Sequence, residues 1–262
     1  MPPPPETVNK ETASAFINPE ESFDEATTSQ ACRFLASARV NDHGLLPRGS
    51  NDVFVVELEG AGQTILSIYK PRKGEAPLWD FPDGSLYKRE YAAFLVSRAL
   101  GWYLVPPTVI RKGPYGVGSF QWFIHPVNER IADTLAGISD FDLKRVAAFD
   151  QALNNADRKL GHFLRGAGDH LWVVDHGLTF HEHPKLRTVL WDFAGEPVPG
   201  DIIADLAALA ERLAAGGKLR NGLRNLLHEA ELAALERRLR ELIENPVFTR
   251  PQTHRSVPWP PF

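Results

Sequence analysis

The sequence predicts an α+β chain of two lobes, strand-rich in its first half and helical in its second. Three observations carry this reading. The β-branched and aromatic runs VFVVEL (53–58), TILSIY (64–69), TVIR (108–111) and SFQWFI (119–124) are concentrated in the first half. Amphipathic helical patterns such as AELAALERRLRELI fill 201–244, and the character of the chain changes after Phe141. A cleft between two such lobes is the expected seat of a ligand.

Taken in order, residues 1–30 are polar, acidic and led by prolines, with little to bury, and read mostly as a disordered tail. Residues 31–124 form the β-rich N-lobe. EGAGQ (59–63) supplies a glycine-containing hairpin turn between the first two runs, and KGPYGVG joins 108–111 to 119–124. A helix from Ser85 to Leu100 fits between them, with Ser85 as N-cap and Gly101 just past its end. The C-lobe, 125–245, opens with a helix at 141–155, then the short buried strand LWVV (171–174), then the helices of 201–244. Those helices can pack on their own lobe or offer a dimer face; the first is simpler. Residues 246–262 are an extended extension rich in proline, whose Trp259 and Phe262 could pack back on the body.

Composition excludes several classes. With 262 residues and 43% hydrophobic content the chain can bury a sizeable core. A formal charge of −4 without a long basic run argues against nucleic acid as a partner. Cys32 is the sole cysteine, which rules out an internal disulfide and a multi-cysteine zinc site. No apolar stretch approaches a membrane span, and the start, MPPPPETVNKETAS, lacks the pattern of a signal peptide, so a cytoplasmic protein without stable membrane insertion is expected.

Some residues fit a plain core poorly. Lys70 shares the alternating face of Leu66 and Ile68; it either snorkels from a strand end or meets a partner. Glu90 interrupts the helical stripe of Leu86 and Phe94, so it pairs either with its neighbours Lys88 and Arg89 or with Lys70, since an unpaired buried carboxylate is costly. Further on, a helix ends in Asn154-Asn155-Ala156-Asp157-Arg158-Lys159, and a buried strand ends in Asp175-His176-Gly177. These carboxylates are turn and cap residues, or a pair in which Asp175 holds a divalent cation and Asp157 orients a hydroxyl, with Lys159 on a phosphoryl group.

In their order and spacing these residues resemble the phosphatidylinositol 3-/4-kinase branch of the protein-kinase-like superfamily, in particular the type II phosphatidylinositol 4-kinases and small bacterial relatives, over residues 35–245. The resemblance implies a two-lobed protein-kinase-like fold and an ATP- and divalent-metal-dependent phosphotransferase. It assigns Lys70 and Glu90 to the nucleotide's phosphates, Asp157, Arg158 and Lys159 to catalysis, and Asp175 to Mg²⁺ or Mn²⁺. The family's asparagine five residues after the catalytic aspartate is replaced by His162, an imidazole that suits Mn²⁺ better than Mg²⁺. The phosphate-covering loop reduces to Arg48-Gly49-Ser50-Asn51, with Ser50 and Asn51 as the nucleotide contacts. The linker Gln121–Pro126 would meet adenine. The membrane-attaching cysteine segment of the type II enzymes is absent.

The acceptor is an unidentified hydroxyl of a small molecule or protein rather than a lipid. Lys185 and Arg187 either contact an anionic substrate or belong to a solvated loop, and PLWDFPDG (77–84) either plugs the N-lobe or lines the cleft entrance through Asp80 and its aromatics. Two other functions fit the residues. One is a nucleotide-binding pseudokinase in which His162 marks lost chemistry. The other is a metal-dependent hydrolase using His162, His170, His176, His181 and His183 with Asp157, Asp169 and Asp175.

Overall fold

The computed structural model describes residues 18–20, 24–46, 51–127, 135, 137–251 and 256–262. The chain is α+β: a five-stranded antiparallel sheet with two helices, followed by a helical part. Strands β1 (Arg39–Leu46), β2 (Val53–Gly60), β3 (Gln63–Pro71), β4 (Thr108–Gly113) and β5 (Gly116–Trp122) lie in the order β1-β2-β3-β5-β4. The β2–β3 hairpin closes through Ala61 (φ 48°) and Gly62 (φ 73°), the doubly positive turn that matches strand twist. β1 escapes a reading by pattern because it is an edge strand, almost wholly exposed and broken by Asn41, Asp42 and His43.

Helix α1 (Glu25–Ser37) begins inside the stretch assigned to the N-terminal tail. Asp24 caps it, accepting from the Thr27 amide at 2.7 Å, and Ala31, Phe34 and Leu35 pack on the sheet against Phe54, Val56, Tyr69 and Phe120. This fixes the inward face of β3 as Ser67 and Tyr69. Leu66, Ile68 and Lys70 therefore share the opposite, half-buried face, which Val55 and Ser119 join by register.

Helix α2 (Leu86–Leu100) ends, as expected, at Gly101 with φ 70°. Ser85 stands at its N-cap position as expected, but its hydroxyl donates to Pro82 O, and it is the Glu75 carboxylate that accepts the amides of Leu86 (3.0 Å) and Tyr87 (2.9 Å). A carboxylate is well suited to this positive helix end. Arg89 of α2 is buried; it donates to Thr179 O at 2.6 Å, pairs with Glu231 and lies under the Phe81 ring. Phe81 thus plugs the body, while Trp79 stands 94% exposed and Asp80 pairs with Lys185 at 2.7 Å. The 77–84 loop lines two cavities, of about 250 and 660 Å³, and neither takes in Lys70, Asp157 or Asp175.

The helical part holds α3 (Asp140–Leu153), the strand pair β6 (Phe163–Arg165) and β7 (Leu171–Val173), and helices α4 (Gly200–Ala214), α5 (Lys218–Arg224) and α6 (Glu229–Glu244). α3 stops two residues early because Asn154 turns left-handed, φ 55°. Leu206, Leu209 and Leu213 of α4 bury with Leu232, Leu235 and Leu239 of α6, so these apolar faces are used within the lobe. No helix among the described residues is long and apolar enough to cross a membrane. The C-terminal extension does return to the body, but through Ser256 and Pro258. Trp259 and Phe262, the side chains that could have made this contact, are 89% and 70% exposed.

Candidate active site

The sheet and the helical part meet at one ammonium group. Lys70, at the end of β3, pairs with Glu90 of α2 and, at 3.0 Å, with Oδ1 of Asp175 just past β7. Glu90 is 3% exposed, and its second oxygen accepts the His176 backbone amide at 2.9 Å. Of the two sequence readings for Glu90, the pairing with Lys70 is the one formed. Burial works against the charge on Lys70, but Asp175 and Glu90 outweigh it and raise its pKa. Burial raises Glu90, opposed by Lys70, whereas the Lys70 charge holds Asp175 well below the usual carboxylate range. Asp175 sits at φ 61°, a left-handed backbone that side chains rarely adopt and that here turns its carboxylate to both Lys70 and His162.

Behind this group lies a buried polar frame. Arg158 is fully buried. Nε and Nη2 donate to the two oxygens of Asp150 (2.8 and 3.0 Å), Nη1 donates to Val174 O (2.9 Å), and Nη2 also donates to Nε2 of His176 (2.8 Å). His176 is neutral, since burial pushes its pKa well down with the help of the Arg158 charge. Asn155 donates to Asp150 at 2.9 Å and accepts the Asp157 amide at 3.0 Å, which sets the turn that presents Asp157. Asn154 donates to the carbonyls of His181 and His183 and accepts the Lys185 amide. Arg158 was expected among the catalytic groups. Its guanidinium has no exposed surface and is spent within this frame.

Asp157 keeps a partly open carboxylate, 3.1 Å from Lys159 Nζ. Burial raises its pKa, Lys159 opposes the rise, and the nearby Asp175 charge adds to it. Two carboxylates that repel one another are the setting in which a divalent cation is welcome. Asp175 and His162 are the residues that would hold one. His162 Nε2 lies 3.4 Å from Asp175 Oδ2 while its Nδ1 accepts the Lys159 amide at 3.4 Å, and burial lowers its pKa to about 4, so the ring is neutral at pH 7.

Other expected residues lie elsewhere. Ser50 lies outside the described residues. Asn51 Oδ1 accepts the Ala76 amide at 2.7 Å, which anchors the base of the loop after β3. In the linker 121–126, the His125 amide and ring both meet Glu20, a buried carboxylate, at 3.1 Å. Lys185 is taken by Asp80, whereas Arg187 is exposed and its charge acts on Asp157. The histidines of the hydrolase reading disperse: His170 meets Tyr103 O, His176 meets Arg158 and His181 meets Asp80 O. Among the described residues no three metal-ligating side chains converge. Asp150, Asn154, Asn155 and Glu20 were missed as site residues, although the paired asparagines before Asp157 were a visible signal.

No known family model matches the chain. Among solved structures it is similar to the Golgi casein kinase with Mn/ADP bound (16% identity, 84% of this chain, 75% of that one, TM-score 0.49). It is likewise similar to hydra Fam20 with sugar (15%, 84%, 89%, 0.49) and to the Helicobacter pylori proinflammatory kinase CtkA (13%, 82%, 94%, 0.48). Protein Rv2133c of Mycobacterium tuberculosis is 39% identical over 263 residues, covering 87% of this chain and 94% of that protein. The chain belongs to the family of Rv2133c.

Proposed function

We propose that the protein is an ATP- and divalent-metal-dependent phosphotransferase of protein-kinase-like architecture that acts on a hydroxyl acceptor. The observation that carries this is the placement of Lys70, a half-buried lysine at a strand end whose ammonium joins a helix glutamate and a half-exposed aspartate across the two parts of the molecule. A fixed positive charge beside two carboxylates and a second lysine is an arrangement suited to holding a polyphosphate and moving its terminal group.

The roles follow from position. Lys70, kept charged, binds the non-transferred phosphates, and Glu90 aims it. Asp157, whose raised pKa makes it a better base than an ordinary carboxylate, accepts the proton of the acceptor hydroxyl as that oxygen bonds to the γ-phosphorus. The bond to the bridging oxygen breaks and ADP leaves, while Lys159 offsets charge on the group in transit. Asp175 and His162 would hold Mg²⁺ or Mn²⁺, which supplies charge neutralisation on the phosphate oxygens. Exposed Arg187 is placed to meet an anionic part of the acceptor. The half-buried apolar face of Val55, Leu66 and Ile68 beside Lys70 gives an adenine ring a dry surface. The linker 121–126 supplies its edge.

The test is phosphate transfer from ATP with Mn²⁺ or Mg²⁺, to water or to a panel of small hydroxyl compounds and proteins. Asp157→Asn should retain nucleotide binding and lose on the order of 10²–10⁴ in rate. Equal rates for the two proteins would overturn the assignment.

A further inference from the structure

The last described segment of the chain lies against the strands that frame Asp157. Pro261 O accepts the amide of Leu160, the residue after Lys159, at 2.8 Å. At the other end of the segment, Ser256 O accepts both the Thr188 amide (3.1 Å) and the Trp191 indole N–H (2.9 Å). Thr188 is itself bridged to Arg158: the Arg158 amide donates to Arg187 O at 3.0 Å, and the Val189 amide donates to Arg158 O at 3.2 Å. The segment therefore grips both chains that flank Asp157. Lys70 reaches the site from the five-stranded sheet, whereas Leu160 and Thr188 lie with Asp157 and Asp175 in the helical part, away from the sheet face on which the nucleotide is proposed to rest.

Its composition suits a strap. Pro258, Pro260 and Pro261 restrict the backbone before docking, which lowers the entropy lost on ordering it. The grip is made by main-chain carbonyls, and Trp259 and Phe262 stay exposed, so the segment is not a hydrophobic plug.

We propose that residues 256–262 form the acceptor-side wall of the site and restrict the access of water to Asp157. The inference rests on the phosphotransferase reading. A transferase must suppress the side reaction in which the oxygen of water bonds to the γ-phosphorus, the bond to the bridging oxygen breaks to release ADP, and the water proton passes to Asp157. A strap fixed to the loop that carries Asp157 does this by occupying the space a stray water would use.

The test compares the intact chain with one ending at Val257, using ATP and Mn²⁺ with no acceptor added. Loss of the strap should speed phosphate release roughly tenfold, the rate equivalent of about one net hydrogen bond, with the ATP concentration for half-saturation unchanged. Binding retained with an unchanged or slower release overturns the proposal alone. If the shortened chain does not fold, amide exchange of the intact chain decides: a Leu160 amide protected like those of β6 supports the strap, and one that exchanges like an exposed loop overturns it. An intact chain that binds no ATP in thermal denaturation overturns the phosphotransferase reading and this inference with it.

Discussion

The backbone N–H of His176 donates to Oε2 of Glu90 at 2.9 Å, joining residues 86 positions apart. Because the other oxygen of Glu90 holds Lys70, this bond ties the position of the lysine to the fold of the Asp175-His176-Gly177 turn. Helix α2 is fixed a second time by Arg89 on Glu231 and Thr179 O. The lysine–glutamate pair is thus built into the resting fold and needs no movement of α2 to assemble.

Lys70→Met leaves Glu90 buried opposite no charge. Breaking such a pair should cost about 3 kcal/mol at pH 7. Glu90 already has a raised pKa, and without Lys70 it rises further. A carboxyl whose folded pKa lies above its unfolded one binds a proton preferentially in the native state, so its penalty shrinks as pH falls. Urea denaturation at pH 7 and pH 5 should show a smaller loss at pH 5. Equal losses would contradict the pairing.

Arg158→Met should be more disruptive than its distance from substrate implies. It strips Asp150 of its partner in a fully buried pair, for an expected loss of about 3–5 kcal/mol. Arg158→Lys should recover only part of this, because an ammonium cannot reproduce the fork to Asp150, Val174 O and His176. Denaturation midpoints of the two variants check the order.

His162 makes a pH test. Its pKa falls from 6.5 unfolded to about 4 folded, so the unfolded chain binds the proton first on acidification. The corresponding stability is complete above pH 6.5 and is lost between there and pH 4, by up to about 3 kcal/mol at 1.36 per unit. Comparing wild type with His162→Asn removes the contribution of the other histidines. The difference in unfolding free energy should change through this window, and a constant difference would refute the assigned environment.

Much of this was legible in the sequence where a pattern is local. Strand alternation located β2 and β3, the Ser-to-Gly frame located α2, and the polar cluster after α3 located Asp157. What stayed hidden depends on contacts distant in sequence. β1 is held by pairing with β2 and not by its own propensity. The cap of α2 comes from Glu75, 11 residues earlier. The burial of Arg158 could not be read because a buried arginine and an exposed one look alike until Asp150 and His176 are placed around it. The histidine cluster misled for the converse reason: His162, His170, His176 and His181 turn to four different partners, Asp175, Tyr103 O, Arg158 and Asp80 O.

The most direct test of the central claim is thermal denaturation of the intact protein with ATP, ADP or no nucleotide, each in EDTA, Mg²⁺ or Mn²⁺, beside Asp175→Asn. Occupancy at about 100 times the dissociation constant adds about 2.7 kcal/mol, a rise of roughly 5 °C or more for a chain of this size. The account expects a metal-dependent rise with ATP that Asp175→Asn loses. A wild-type protein whose midpoint no nucleotide moves, with or without metal, would contradict it.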